Sequence, residues 1–132
     1  MSPNVRHFIR FQLPAIVWAF VIFLLSSIPA TRLPRFAHLF NDKFVHASIF
    51  FVLGLFIYLA LEPKIRPASF DWRRLIIATS AVILYGVSDE FHQGFVPGRT
   101  VDVFDAAADS LGGFLSALVI LAREGWKKRS LG

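Results

Sequence analysis

The chain alternates long apolar runs with short polar stretches. Apolar residues dominate about residues 11–28, 44–61, 75–94 and 103–122. Each run approaches the roughly twenty residues that a helix needs to cross the hydrocarbon core of a bilayer. Prolines and polar residues between the runs indicate short loops. The pattern predicts an all-α, polytopic membrane protein, a compact bundle of four transmembrane helices within a single domain covering residues 1–132.

The first run has an alternative interpretation, because arginines precede it as they do in a cleaved signal peptide. Its apolar core is long and aromatic, and no small-x-small cleavage motif follows it. Pro14 falls in the first turn, where a helix tolerates proline. We therefore interpret the run as a spanning helix that follows a short polar leader, residues 1–10.

Composition narrows the class of protein. The chain is 55% hydrophobic and 17% charged, with fifteen Phe, whereas a small soluble domain normally carries more charge. The absence of cysteine excludes disulfides, thiolate metal sites and a cysteine nucleophile. The net charge of +5 does not indicate nucleic acid, because the positive residues lie at the ends of apolar runs. The predicted partner is the lipid bilayer.

The distribution of lysine and arginine predicts the orientation. With four spans, both termini and the connector between the second and third runs lie on the same side. Of the 14 Lys and Arg residues, only Arg32, Arg35, Lys43 and Arg99 fall on the other side. The positive-inside rule then places both termini in the cytoplasm of a multi-pass protein of the cytoplasmic (inner) membrane.

Charged residues gather on the predicted outer side, at the start of the second run and around the loop between the third and fourth. Charge beside or inside a membrane is costly and is usually retained because a partner or a function needs it. Asp102, Asp105 and Asp109 step by three and four residues, so they form a stripe on one helix face. A stripe at that depth should face the bundle interior. The four helices would thus enclose a polar pocket that opens to the outside.

The same helix predicts close packing, because Ala108, Gly112 and Ser116 recur every four residues as a surface of small side chains. The candidate catalytic residues are the carboxylates Glu90 and Asp109. The candidate substrate-binding residues are Asp42, Lys43, His46, Asp89, His92, Gln93, Arg99, Asp102 and Asp105.

These residues carry a resemblance to a known family. The string Asp42-Lys43-x-x-His46, followed by Glu90-x-x-Gln93, Arg99, Asp105 and Gly112-Gly113, resembles the VanZ-like family of small bacterial membrane proteins. The family has Asn where this chain has Asp109, so this chain adds a carboxylate at that position. The resemblance implies a bacterial cell envelope and, for the family's namesake, a link to glycopeptide (teicoplanin) antibiotic resistance.

Several candidates have a structural alternative. Arg99 can form ion pairs with Asp102 and with Asp89 or Glu90, or it can join Lys43 in holding an anionic head group such as a phosphate. His46 is either a helix-packing residue or a proton carrier. Glu90 and Asp109 are either structural or an acid–base pair whose pKa values burial drives apart.

A metal site is not predicted. His46, His92, Glu90 and Asp109 are acceptable ligand types, yet no HExxH spacing is present, and the ligands would come from separate helices. The alternative is a Mg²⁺ or Ca²⁺ site built from the carboxylates, because both ions prefer oxygen ligands. We predict no metal and no cofactor.

The favoured function is binding or modulation of an anionic lipid, or of a lipid-linked cell-wall intermediate, in the outer polar pocket. One alternative is a membrane-embedded enzyme that acts on such a substrate by carboxylate acid–base chemistry. Another is a small proton-coupled transporter, although four short helices are few for alternating access. The sequence leaves open whether a reaction is catalysed and what the oligomeric state is.

Overall fold

The computed structural model describes residues 1–32, 42–62 and 70–130, apart from the side chains of Asp42 and Lys128. These ranges contain helices, turns and loops and no strand. The prediction of an all-α fold is therefore confirmed.

The N-terminal helical segment has three continuous parts. Helix α1 covers Pro3–His7, a π-helical turn covers Phe8–Gln12, and helix α2 covers Leu13–Ser26. Pro14 is the second residue of α2, one residue after the π-helical turn. The proline ring crowds the preceding turn, and a wider turn at that place relieves the crowding. Residues of the predicted polar leader are thus themselves helical, and Pro3–Ser26 is long and apolar enough to cross a membrane.

Three longer helices complete the bundle: α3 at Asp42–Ala60, α4 at Trp72–Gln93 and α5 at Val103–Ser130. Asp71 caps α4 by accepting a hydrogen bond from the backbone N–H of Arg73 at 3.0 Å. Asp102 caps α5 in the same way, through the N–H of Phe104 at 2.8 Å. All three helices meet the length and hydropathy of a membrane span. Together with Pro3–Ser26, the described ranges contain four helices long and apolar enough to span a membrane, which confirms the predicted four-helix membrane bundle.

Small residues bring α3 and α5 into close contact. A Cβ atom at Gly112 would lie 2.3 Å from the backbone oxygen of Ala47, and one at Gly54 would lie 2.2 Å from Ser116 Oγ. Ala108 and Ser116 are buried on the same face of α5. The predicted small-residue surface is therefore confirmed, and its partner is α3.

Apolar side chains divide between a small core and the bundle surface. Ile22, Phe50, Leu53 and Val82 form the buried core cluster between α2, α3 and α4. Many large apolar side chains on the four spanning helices are exposed, Phe20, Leu84 and Leu118 among them. A membrane helix is expected to present such side chains to lipid.

One end of the bundle is closed by a structural ion pair. Arg74 pairs with Glu62, donates from Nε to the backbone oxygen of Tyr58 at 2.8 Å, and lies 3.9 Å from the centre of the Tyr58 ring. His7 reaches the same place through a 3.1 Å contact between its Nε2 and the backbone oxygen of Glu62. The candidate site lies at the other end, where α2 and α4 finish and α3 and α5 begin.

Candidate functional site

Lys43, in the first turn of α3, lies between two carboxylates of the α5 start. It donates to Asp102 and Asp105 and forms an ion pair with each of them. The Lys43 ammonium, with the N–H of Phe104, holds the pKa of Asp102 below its usual range. Lys43 thus ties α3 to the start of α5.

His46, one turn further along α3, contacts the next carboxylate of the stripe. Its Nδ1 lies 2.9 Å from Asp109 Oδ1, and its Nε2 lies 3.9 Å from Asp105 Oδ2. Asp109 is fully buried, with 0% of its surface exposed. The stripe therefore faces the bundle interior, as predicted. Its deepest member, Asp109, has one oxygen on His46, while Oδ2 has no hydrogen-bond partner in the described part of the chain.

Glu90, near the end of α4, approaches from a third helix. Its Oε2 accepts a hydrogen bond from the backbone N–H of Asp102 at 2.9 Å. Its Oε1 has no hydrogen-bond partner among the described residues, although Glu90 is only 3% exposed. Buried polar atoms are normally paired, and an unpaired one costs about 1–3 kcal/mol. Two such atoms, Glu90 Oε1 and Asp109 Oδ2, therefore require an explanation.

These contacts define a single group of side chains, which we call the acidic cluster. Within it, His46, Glu90 and Asp109 each offer one ligand atom, and the three atoms lie within 4.8 Å of one another. No Lys or Arg in the described ranges pairs with Glu90 or Asp109. The acidic cluster comprises Lys43, His46, Glu90, Asp102, Asp105 and Asp109.

Gly86 allows Asp109 to pack closely against α4. It lies one turn before Glu90, and a Cβ atom there would be 2.7 Å from Asp109 Cβ and 3.1 Å from Asp109 Oδ2. Any larger residue would therefore displace Asp109. Sequence reasoning did not single out Gly86, because a glycine within an apolar helix is not informative on its own.

A second polar network joins the ends of α2 and α4. Asp89 Oδ2 accepts hydrogen bonds from Ser26 Oγ at 2.7 Å and from Gln93 Nε2 at 3.2 Å. His92 Nε2 lies 3.0 Å from Ser27 Oγ. The two serines were not among the sequence candidates. The available signal was that they end the first apolar run on the side where the acidic residues gather.

Arg99 corrects one of the sequence interpretations. It forms no ion pair with Asp102, Asp89 or Glu90 in the described part of the structure, and donates instead to the backbone oxygens of Ile28 at 3.2 Å and Leu25 at 3.5 Å. The last carbonyls of a helix have no partner within it, so a nearby guanidinium satisfies them and favours the negative end of the helix dipole. Arg99 therefore holds the α4–α5 loop against the end of α2.

The predicted site residues fall into three places. Six of them meet in the acidic cluster: Lys43, His46, Glu90, Asp102, Asp105 and Asp109. Three belong to the adjoining network with α2: Asp89, His92 and Gln93. Arg99 lies on the loop. The side chain of Asp42 lies outside the described residues.

Comparison with known proteins gives the class to which this bundle belongs. Residues 11–124, which are most of the chain, match the VanZ/LLP1 family. The chain therefore belongs to the VanZ/LLP1 family of membrane proteins.

A particular relative is an uncharacterized protein of the yeast Schizosaccharomyces pombe. It is 34% identical over 120 residues, which cover 90% of this chain and 69% of the relative. No solved structure matches the chain.

Proposed function

We propose that this protein binds the polar head group of a membrane lipid, or of a lipid-linked envelope molecule, at the acidic cluster. The observation that carries the proposal is the pair of buried oxygens, Glu90 Oε1 and Asp109 Oδ2, that have no partner among the described residues. A buried charge inside a membrane protein is costly unless it is paired. A bound head group that donates hydrogen bonds or brings positive charge would pair these oxygens.

The position of the site supports a ligand that is itself anchored in lipid. The acidic cluster lies at an end of the bundle, in the first turns of α3 and α5 and the last turns of α4. The surrounding helices expose apolar side chains, such as Val87 and Phe91 on α4 and Phe104 on α5. A lipid lying against those side chains would present its head group at the level of the cluster.

The contacts of the two basic candidates, Lys43 and Arg99, narrow the chemistry of the proposed ligand. Lys43 is engaged by Asp102 and Asp105, and Arg99 by backbone oxygens of α2. The cluster therefore offers acceptors, which suit hydroxyl or amine groups of a sugar or an amino head group. An anionic group, which the sequence analysis favours, requires an additional positive charge at this place.

Orientation and physiological role follow the same proposal. We place the acidic cluster on the outer side of the cytoplasmic membrane, because most lysines and arginines lie toward the opposite end. A relative in a yeast favours a ligand chemistry that is not restricted to bacterial cell walls. A link to teicoplanin resistance requires that expression of the wild type, and not of Glu90→Gln, changes the teicoplanin susceptibility of a bacterial host.

Native mass spectrometry of the protein released gently from its own membrane tests the binding proposal. The wild type should retain a lipid or lipid-linked sugar, and Glu90→Gln should lose it. The glutamine oxygen still accepts from the N–H of Asp102, while its amide places a donor where the free acceptor was. Glu124→Gln is the matched control, since among the described residues that side chain pairs with Lys127 at the surface, away from the acidic cluster. Retention of the same lipid by Glu90→Gln, or no lipid in the wild type, contradicts the proposal.

A second candidate function is a membrane-embedded enzyme that acts on the same class of molecule. The 2.9 Å contact between His46 Nδ1 and Asp109 Oδ1 supports it, because a carboxylate-oriented imidazole is suited to accept a proton. In that case His46→Gln should retain the lipid unchanged while the wild type converts it. If the same intact molecule is recovered from both proteins, the enzyme candidate fails.

A further inference from the structure

We propose that His46, Glu90 and Asp109 bind one divalent transition-metal ion, and that this ion receives the anionic part of the head group. The inference deepens the proposed function and, for the role of the ion toward the head group, rests on it. The metal site itself stands on separate observations of the geometry. It departs from the sequence expectation that no metal is bound.

The first observation is the convergence of three ligand atoms from three helices. One atom each from His46 on α3, Glu90 on α4 and Asp109 on α5 lies within 4.8 Å of the others. Ligands of one ion at about 2.1 Å lie about 3–4 Å apart, so a contraction of well under 1 Å from each side chain would complete the site. The 2.9 Å separation of His46 Nδ1 and Asp109 Oδ1 already matches two neighbouring ligands of one ion.

The second observation is that the unpaired atoms belong to the same side chains. Glu90 Oε1 and Asp109 Oδ2 are buried and have no hydrogen-bond partner within the described ranges, in residues that are 3% and 0% exposed. A metal ion satisfies both carboxylates together, because its ligand bonds replace several missing hydrogen bonds.

Charge favours a cation at this place. The acidic cluster contains four carboxylates, Glu90, Asp102, Asp105 and Asp109, and one lysine, which pairs with Asp102 and Asp105. No lysine or arginine in the described ranges forms an ion pair with Glu90 or Asp109, and His46 offers a ring nitrogen close to both. A divalent ion would neutralise these two carboxylates.

The ligand set selects the kind of ion. One imidazole nitrogen with two carboxylates suits Zn²⁺ or Mn²⁺ better than Mg²⁺ or Ca²⁺, which prefer oxygen alone. Three protein ligands leave at least one coordination position open, as in metal sites that bind an exogenous ligand. An oxygen of a phosphate would take that position, and this explains how a cluster of carboxylates accepts an anionic head group.

The test begins with the metal alone. Wild-type protein in detergent, treated with EDTA and then freed of it, should bind one equivalent of Mn²⁺, measured as loss of the free-ion signal in electron paramagnetic resonance. Competition by Zn²⁺ should release it. His46→Ala, Glu90→Gln and Asp109→Asn should each weaken Mn²⁺ binding at least tenfold.

Glu124→Gln provides the matched control. Glu124 is a carboxylate on the same helix, fifteen residues after Asp109, and it pairs with Lys127 at the surface. This variant should bind Mn²⁺ like the wild type. Absence of binding in the wild type overturns the metal site, and so does binding that the three ligand variants leave unchanged.

A second measurement separates this inference from the proposed function. Lipid retention is compared by native mass spectrometry with and without EDTA during purification. Loss of the lipid on chelation, with recovery after Mn²⁺ addition, supports the ion as its receptor. If EDTA leaves the lipid in place while Glu90→Gln removes it, head-group binding stands and the role of the ion is refuted.

Discussion

The contact between Gly112 and α3 allows the link between helix packing and the acidic cluster to be tested. In Gly112→Ala the added methyl carbon would lie 2.3 Å from the backbone oxygen of Ala47 and 2.8 Å from the backbone nitrogen of Phe51. Both obstacles are backbone atoms of α3, so no side-chain rotation relieves the clash. The helices α3 and α5 must separate instead.

The size of the effect follows from these distances. Ordinary contact begins near 3.4 Å, so α3 and α5 would have to move apart by about 1 Å at this level. Inserting a methyl group into a filled contact costs about 1–3 kcal/mol. The contact between His46 and Asp109, one turn away, would lengthen from 2.9 Å to about 4 Å, which is beyond hydrogen-bond distance.

Gly125→Ala supplies the control. Gly125 is on the same helix, and a Cβ atom there would meet nothing within 4 Å. Both substitutions share the gain of about 1 kcal/mol that alanine brings to a helix. The difference between the two variants therefore isolates the clash, and we expect Gly112→Ala to be less stable than Gly125→Ala by about 1–3 kcal/mol.

Two assays test this prediction. Reversible unfolding in mixed detergent micelles, followed by tryptophan fluorescence, gives the difference in free energy. Mn²⁺ affinity or lipid retention reports the geometry of the cluster and should fall at least tenfold in Gly112→Ala alone. Equal stability of the two variants within about 0.5 kcal/mol would refute the reasoning that Gly112 sets the helix separation.

Two further predictions concern the rest of the bundle. Arg74→Ala should destabilise the protein by about 3 kcal/mol, because it removes the largely buried pair with Glu62 and the contact with Tyr58. Lys127→Ala, which removes an exposed ion pair, should change stability by less than about 0.5 kcal/mol. Equal losses of stability in Arg74→Ala and Lys127→Ala would contradict the structural role of the Arg74–Glu62 pair. A fluorescent protein fused to the C-terminus should fluoresce, whereas alkaline phosphatase fused there should be inactive; the reverse result would overturn the predicted orientation.

Most of the fold was predictable from local pattern. Long apolar runs indicate spanning helices whatever their partners are, and the small-residue surface of α5 follows from a four-residue repeat. The inward face of Asp105 and Asp109 was also predictable, since a carboxylate directed at lipid is too costly. Each of these inferences needs only the geometry of one helix and the polarity of its surroundings.

The side-chain contacts between helices were harder to predict from the sequence. Arg99 was expected beside the acidic residues near it in the sequence, yet it reaches the carbonyls of Leu25 and Ile28. Those backbone carbonyls are available as acceptors because α2 ends there, and the pattern of side chains in the sequence does not predict which residue will bind them. Lys43 instead pairs with Asp102 and Asp105, because the starts of α3 and α5 lie against each other.

The three proposed metal ligands show where sequence reasoning stops and why structure adds information. His46, Glu90 and Asp109 come from α3, α4 and α5, so their spacing along the chain follows no ligand motif. Each residue was an acceptable ligand type when considered alone, but a packing or structural role explained it equally well. What distinguishes them is that two buried carboxylate oxygens, Glu90 Oε1 and Asp109 Oδ2, lack partners in the described structure and lie beside a histidine. A purely structural ion-pair network would be expected to satisfy those atoms, because in a bilayer the cost of leaving them unpaired is not relieved by water. That mismatch is the reason to assign the site a ligand.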